Sequence, residues 1–475
     1  MGVASNSTQY SADPADLFVQ LYDELPGDLF RGFEPIAWAK DSEIRRRSEE
    51  ICQMVWDYGT VNIGQLEKLS GQFDPQGKFT VLLGLESALE IVNPYSPNFI
   101  QGRLVPVATR YVTTGQLNNP DVTPGALLPR CTLPGKPTGK RRKGEFFKLN
   151  RVPPDLWGHV KVEINGFEKQ PHFRREEPVR VGCVPVLETL GSDLSIKFDQ
   201  RSGIPVYQVA PIDSATLRQR IDEIIRSLED SGARIGVMPE GCLCDSLFEY
   251  WQVRAYETFR LGSPLRWLLV GTGPLHGSDP PPNRAVLLDR LTGATLVSQD
   301  KLSCFTLTSE QARSWGLSEN PPEGAIEEDI IEGSTVSIWD SSLGRLAVLI
   351  CEDISQSKEW DRELLSCGVS HLLVPIFSTP ISPDRWEQVA AERAVSTLGG
   401  WVIVVNSLVV AKSMQNEVPH EKSFSALIAS PSSTNQLSYS YSLQFCKSPS
   451  GSVPGRVAAD SGAGILPSVL PAAGH

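Results

Sequence analysis

Three polar residues stand where apolar runs end, and together they are the parts that thiol catalysis needs: Glu240 closes ARIGVMPE, Lys301 closes TLVSQDK and Cys351 closes GRLAVLIC. A thiol at its free pKa is mostly protonated at neutral pH, so a nucleophilic cysteine needs a base to take its proton and a cation to stabilise developing charge. Glu240 supplies the first and Lys301 the second. Attack on an amide or nitrile carbon builds negative charge on oxygen or nitrogen, and each donor fixed there lowers the barrier by about 3 kcal/mol. Lys301 and the backbone N–H of Glu352 are the natural donors. Taken singly, each residue has a plainer reading: a buried cysteine is usually inert, a terminal lysine an edge charge and a terminal glutamate a surface carboxylate. Their joint placement favours chemistry.

Other residues invite weaker readings. Cys242 and Cys244 form a C-x-C pair without the companion cluster that a zinc site requires, and read as pocket lining; no metal is expected. His371 opens the apolar run SHLLVPIF and reads as structural rather than as partner to the thiol. Phe377 and Trp386 lie within the proline-rich PIFSTPISPDRW and are candidates equally for packing and for a substrate mouth. Asp353 could equally cap the next segment or touch substrate.

The elements that must position these groups are legible from periodicity. Beyond Arg201, strand-like apolar runs alternate with amphipathic stretches, the pattern of an α/β sheet core with helices packed on it. In SATLRQRIDEIIRSLEDSG a stripe of Leu217, Ile221, Ile224, Ile225 and Leu228 predicts a helix capped by Asp213 or Ser214 and ended by Gly232. SKEWDRELLSC and DRWEQVAAERAVSTL fit helices between later strands, and groups at strand ends can converge on one sheet edge. Upstream, DSEIRRRSEEICQMVWDY predicts a core-facing helix over 41–58. FTVLLGL and RLVPVATRYV are short apolar runs, while WGHVKVEI and VRVGCVPVL have strand character. The expected division is therefore a mixed α+β region of unknown role over 1–200, a catalytic domain over 201–446, and a Ser-, Gly- and Pro-rich tail over 447–475 expected to be disordered.

The segments PEG at Pro239–Gly241, QDK ending at Lys301 and GRLAVLICEDI around Cys351 resemble the three motifs of the nitrilase, or carbon–nitrogen hydrolase, superfamily. The resemblance runs from Ile204 to about Phe445 and takes in VYQVAP, LLVPIF, WEQVAAERA with Arg393, VVNS with Asn406, and SFSALIASP. It implies a four-layer α-β-β-α sandwich, with Glu240 as general base, Lys301 as stabiliser of the tetrahedral intermediate and Cys351 as acyl-forming nucleophile. It also implies a second glutamate between lysine and cysteine; Glu328 or Glu327 stands in about the right place, Glu310 less so. The substrate would be a small amide or nitrile, with no metal or organic cofactor, and the protein a homo-oligomer. Two departures concern the substrate pocket: Ser303 stands where many members have histidine, and CLCDSLFEYW lacks the usual tyrosine-bearing turn. The CED of Cys351–Asp353 looks like that of glutaminase domains attached to NAD synthetases, without an ATP-binding motif. Transfer of the acyl group to an amine, or an idle scaffold whose first two hundred residues bind a protein partner, are the rival readings.

Composition sets the bounds. The chain has 475 residues, 40% hydrophobic and 21% charged, enough for more than one core. Its formal charge of −12 repels nucleic acid and anionic membranes, and the one basic run, KRRKGEFFK at 140–148, reads as a solvated loop. Nine cysteines without framework spacing suit a reducing, cytoplasmic setting. MGVASN carries Asn6 where a myristoylation signal wants Ser or Thr, and no apolar run is long enough to cross a bilayer.

Overall fold

The computed structural model describes residues 10–70, 73–90, 103–130, 143–164, 179–273, 275, 277–341, 344–356, 360–414, 424–431, 441–447 and 465–468. The strands in chain order are β1 (Ala126–Pro129), β2 (Leu149–Val152), β3 (Val160–Ile164), β4 (Val179–Cys183), β5 (Leu194–Arg201), β6 (Ile204–Pro211), β7 (Ile235–Val237), β8 (Trp267–Thr272), β9 (Arg284–Asp289), β10 (Thr295–Asp300), β11 (Thr306–Thr308), β12 (Ala325–Glu328), β13 (Val336–Ser341), β14 (Gly344–Val348), β15 (His371–Ile376), β16 (Trp401–Asn406), β17 (Phe424–Pro431), β18 (Tyr441–Lys447) and β19 (Ile465–Ser468).

Two sheets face each other. One is six-stranded, β10-β9-β8-β7-β4-β19, and the other seven-stranded, β18-β17-β16-β15-β14-β13-β3. The pleat sorts their residues: Trp267, Leu269, Ala285 and Leu287 meet Ile338, Leu346 and Val348 between the sheets, while Leu268, Val270, Val286 and Leu288 pack outward under the helices Ala215–Asp230 and Asp245–Glu257. Trp267 and Trp339 meet edge to face across the inter-sheet space, ring centres 4.8 Å apart. Helix Trp386–Leu398 covers the outside of β16 and β17. The layers are helix, sheet, sheet and helix, as the sequence motifs implied. A smaller sheet, β11-β12-β6-β5, lies beside this sandwich.

Three predicted helices appear nearly residue for residue, at Ser42–Tyr58, Ala215–Asp230 and Trp386–Leu398, whereas SKEWDRELLSC holds only the short helix Asp361–Ser366, with 357–359 outside the described residues. Ser42–Tyr58 starts at Asp41, whose carboxylate accepts from Glu43 N and Ile44 N. Ala215–Asp230 starts at Ser214, whose Oγ accepts from Leu217 N at 3.1 Å. FTVLLGL and RLVPVATRYV turn out to lie in the helices Pro75–Glu90 and Val105–Thr114. Pro75–Glu90 is buried on nearly every side, at Phe79, Val81, Leu82, Leu85, Ala88 and Leu89 among others, so it has no polar face to reveal a 3.6-residue period. With the helices Pro14–Glu24 and Ser42–Tyr58 it makes a separate N-terminal core. The basic run is partly built into that layer. Lys143 donates to the carbonyls of Tyr22 and Leu25, Lys148 pairs with Glu90 at 2.7 Å, and Phe146 and Phe147 pack on Phe30 and Phe79; residues 140–142 lie outside the described residues.

The strand pairing runs across residue 200. β3 lies parallel to β13, β4 parallel to β7, and β5 forms an eight-residue antiparallel ladder with β6. Of the tail, 448–464 and 469–475 lie outside the described residues, and β19 pairs antiparallel with β4. Pro467 fits there because β19 is an edge strand.

The ribbon β1-β2 joins the two cores: Leu127 and Leu149 face the helices, whereas Ala126, Leu128 and Val152 face the sandwich. Beside it, Arg345 at the start of β14 is wholly buried, donates to Asp340 at 2.9 Å, to Pro129 O at 2.8 Å and to Cys367 O, and Tyr111 of the N-terminal layer bonds the same Asp340. Removing one member of a buried ion pair typically costs about 3–5 kcal/mol, because the remaining charge loses its counterion. Asp340→Ala is expected to lose stability on that scale in urea unfolding; a midpoint unchanged from wild type would mean that the ion pair contributes little.

Candidate active site

Every sequence-predicted group of the triad falls on one edge of the facing sheets. Glu240 follows β7, Lys301 follows β10, and Cys351 follows β14 on the opposing sheet. Two glycines make the Glu240 turn feasible. Gly241 has φ +61°, which only glycine adopts freely, and a Cβ on Gly271 would sit 2.3 Å from Pro239 O, so β8 can lie directly against Pro239 and Glu240. The Lys301 amide donates to Asn283 O at 2.8 Å, continuing the β9-β10 ladder by one residue and setting Asn283 beside the lysine.

Lys301 is 1% exposed, and its Nζ donates to Glu240 Oε1 at 2.8 Å and to Glu328 Oε2 at 2.6 Å. Asn283 Nδ2 bridges the same two carboxylates at 2.7 and 2.8 Å. The Phe377 N–H donates to Glu240 Oε2 at 2.8 Å, and the Phe305 N–H to Glu328 Oε2 at 3.1 Å. Two buried carboxyl groups are thus held together by one ammonium and one amide. Burial works against charge on Lys301, but Glu240 and Glu328 outweigh it and hold its pKa well above the usual lysine value, so it stays charged. Burial raises the Glu240 pKa, Glu328 adds to the rise and Lys301 opposes it.

Cys351 reaches the site through a strained turn, with φ 49° and ψ −106°, a conformation that costs a non-glycine residue on the order of 1–3 kcal/mol. Its amide donates to Pro375 O at 3.0 Å, and its Sγ lies 3.9 Å from Phe377 O. The Phe377 peptide therefore presents its N–H to the candidate base and its carbonyl to the thiol. Burial first, and the Glu240 charge second, push the Cys351 thiol well above the ordinary cysteine range, against the pull of Lys301. At neutral pH it rests as a thiol and needs a base before it can attack. Arg393 donates to the carbonyls of Ile354 and Ser355 at 2.5 and 3.3 Å, tying helix Trp386–Leu398 to the segment after the cysteine. Asn406 holds the loop after Phe377 through Ser378 O at 3.0 Å, Thr379 O at 2.7 Å and the Ser378 N–H at 3.1 Å.

Glu240, Asn283, Lys301, Glu328, Cys351 and Phe377 line one cavity of about 30 Å³ together with Tyr207, Phe305, Asp329 and Ile330. Glu328 ends β12 there. Glu327, its neighbour, takes the opposite face of the strand and is exposed, and Glu310 is exposed on the short helix Ser309–Ser314. The Glu352 side chain accepts from Gln356 Nε2 at 3.0 Å and is not among the cavity-lining residues, leaving only its backbone beside Cys351. Asp353 neither caps a helix nor lines the cavity; it accepts N–H groups from two segments. His371 sits at the beginning of β15, whereas the Cys351 amide meets Pro375 four residues further along that strand, about 13 Å away at 3.3 Å per residue. Cys242 is buried under Pro239 O and Gly271 O, and neither it nor Cys244 lines the cavity, contrary to the pocket-lining expectation. Phe377 lines the cavity, whereas Trp386 packs on the main core.

Sequence reasoning passed over Asn283 and Tyr207. The only signal for Asn283 was its place at the start of the strand antiparallel to TLVSQDK, which needs the register to be read.

No family model matches the chain, and no curated protein matches it. Among solved structures, it is similar to an amidase from Nesterenkonia sp., with 13% identity, TM-score 0.35, and 62% of this chain and 97% of that one covered. It is also similar to Saccharomyces cerevisiae Nit3, a member of branch 10 of the nitrilase superfamily, with 10% identity, TM-score 0.35, and 54% and 84% covered. A third is the glutamine-dependent NAD+ synthetase of Acinetobacter baumannii, with 14% identity, TM-score 0.34, and 49% and 38% covered. Among the described residues, no helix is long and apolar enough to cross a membrane.

Proposed function

We propose that the protein hydrolyses a non-peptide carbon–nitrogen bond in a small amide or nitrile, through a thioester acyl-enzyme at Cys351. The observation that carries this reading is the Lys301 ammonium, held between Glu240 and Glu328 in the wall of the same cavity as the Cys351 thiol. For an amide, Glu240 takes the thiol proton as Sγ bonds to the carbonyl carbon, and the electron pair of the C=O moves onto oxygen. Lys301 and the Glu352 N–H stabilise that oxyanion. Collapse breaks the C–N bond, and the proton held by Glu240 leaves with ammonia or the amine. Water, deprotonated by Glu240, then attacks the thioester carbon; the C–S bond breaks and the proton returns to sulfur, releasing the acid.

The test is intact-mass spectrometry and ammonia release on the wild-type protein with a panel of amides, nitriles and glutamine. An acyl adduct that peptide mapping assigns to Cys351, with turnover, is expected. A folded protein that forms no adduct with any member and releases no ammonia would favour the idle scaffold. An adduct that is discharged only when an amine is added would favour acyl transfer.

The pH dependence follows from the sign of the Glu240 shift. A raised carboxylate pKa keeps the proton to higher pH, so the base form appears late and the acid limb of kcat/KM moves towards neutrality. An acid inflection above the ordinary glutamate value of 4.5 is expected in a pH–rate profile; one at or below it would remove Glu240 from the role of base.

A further inference from the structure

We infer that Asp353 is a positioning residue that locks the lysine-bearing and cysteine-bearing strand ends together across the two facing sheets. The inference rests on the reading of the site given above. The carboxylate is completely buried. Its Oδ1 accepts from Leu302 N at 3.0 Å and Ser303 N at 2.9 Å, and its Oδ2 accepts from Leu302 N at 3.1 Å and Ile350 N at 3.0 Å. Leu302 and Ser303 directly follow Lys301 at the end of β10, on the six-stranded sheet. Ile350 directly precedes Cys351 at the end of β14, on the seven-stranded sheet. One side chain therefore fixes the backbone on the exit side of the cation and on the entry side of the nucleophile.

The chemistry of the acceptor explains why a carboxylate is needed. Three N–H donors converge on it; burial pushes the Asp353 carboxyl up to about 7, while Lys301 and these donors favour the ionised form, which offers acceptor sites only, on both oxygens. An amide of the same size would place an NH2 against one of those donors, losing a bond and opposing two positive dipoles in a fully buried site. The turn it holds is the one in which Cys351 takes its strained φ of 49°, a conformation that persists only where surrounding bonds over-determine it. Asp353 lines no part of the cavity, so its effect passes through the placement of Lys301 and Cys351 rather than through contact with substrate.

The first experiment is Asp353→Asn, which keeps the volume and changes the acceptor. With far-UV circular dichroism and elution volume matching wild type, kcat is expected to fall about a hundredfold, the usual cost of a 1 Å misplacement of reacting groups. KM is expected to stay within about threefold, since no binding contact is lost. A variant with wild-type kcat would overturn the inference, because a residue that only fills space is replaced harmlessly by its isostere.

The second measurement is hydrogen exchange on the wild-type protein, which decides the matter if the variant does not fold. The amides of Leu302, Ser303 and Ile350 are expected to be protected about as well as the interior of β14. Exchange at the rate of an open loop would show that the lock does not exist. Wild type separates the two readings: absence of any acyl adduct sinks the proposed function, whereas exchange reports on the lock without turnover.

Discussion

Cys351→Ala is expected to lower turnover by on the order of 10⁴-fold or more, about 5 kcal/mol of transition-state stabilisation, and to abolish the acyl adduct. The size follows from what remains. On the proposed mechanism, without sulfur Lys301 and the Glu352 N–H can still polarise a bound carbonyl, but no covalent bond forms and Glu240 can act only on water. The fold should tolerate the change, since alanine removes one small atom from a narrow cavity. The backbone strain provides a companion check. Alanine inherits the φ of 49° at no advantage, whereas glycine is free to adopt it. Cys351→Gly is therefore expected to be more stable than Cys351→Ala by about 1 kcal/mol in urea unfolding, while equally inactive. Substantial turnover in either variant would place the nucleophile elsewhere.

Lys301→Ala is expected to cost about 3–5 kcal/mol of stability as well as activity, which separates it from an ordinary catalytic knockout. The ammonium is the shared counterion of Glu240 and Glu328, both nearly inaccessible to water, at 2.8 and 2.6 Å. In its absence Asn283 alone bridges two carboxylates, and one of them must hold a proton to remain buried. The loss should therefore shrink as pH falls, since protonation removes the repulsion. Urea unfolding of wild type and variant at pH 5 and pH 8 measures it. Equal stability of the two proteins at pH 8 would mean that the carboxylates are not held as the geometry describes. Glu328→Gln, added to Lys301→Ala, is expected to recover part of the stability and none of the turnover.

The convergence of Glu240, Lys301 and Cys351 was legible because each ends a dense apolar run, and such runs become buried strands whose ends share an edge. Glu328 was legible only as one of two neighbours. The pleat separates them, and the choice depends on β12 pairing with β6, where Glu328 lies opposite Tyr207. Asn283 was hidden because PPPN reads as a loop; its function comes from the β9-β10 register, a long-range fact with no local trace. Asp353 was visible as a residue but not as a tie, since its three donors come from segments some fifty positions apart and from its own turn. Pro75–Glu90 left no helix signal for the opposite reason: burial on nearly every side erased the periodicity that marks a helix. The division expected at residue 200 falls inside the β5-β6 ladder because a change in texture, from mixed runs to regular alternation, is not a break in the sheet.

That early strands sit in late sheets bears on how the chain is made. β3 pairs with β13, Val160 against Val336, and β4 with β7, Val181 against Ile235. At 5–20 residues per second, a ribosome needs roughly ten seconds or more after β3 emerges to supply its partner. The N-terminal helical core, whose contacts lie within its own stretch of chain, can close in the meantime. Tyr111 and the β1-β2 ribbon then stand ready at its surface, so the nascent β14, arriving with Arg345, meets an assembled wall rather than a free coil.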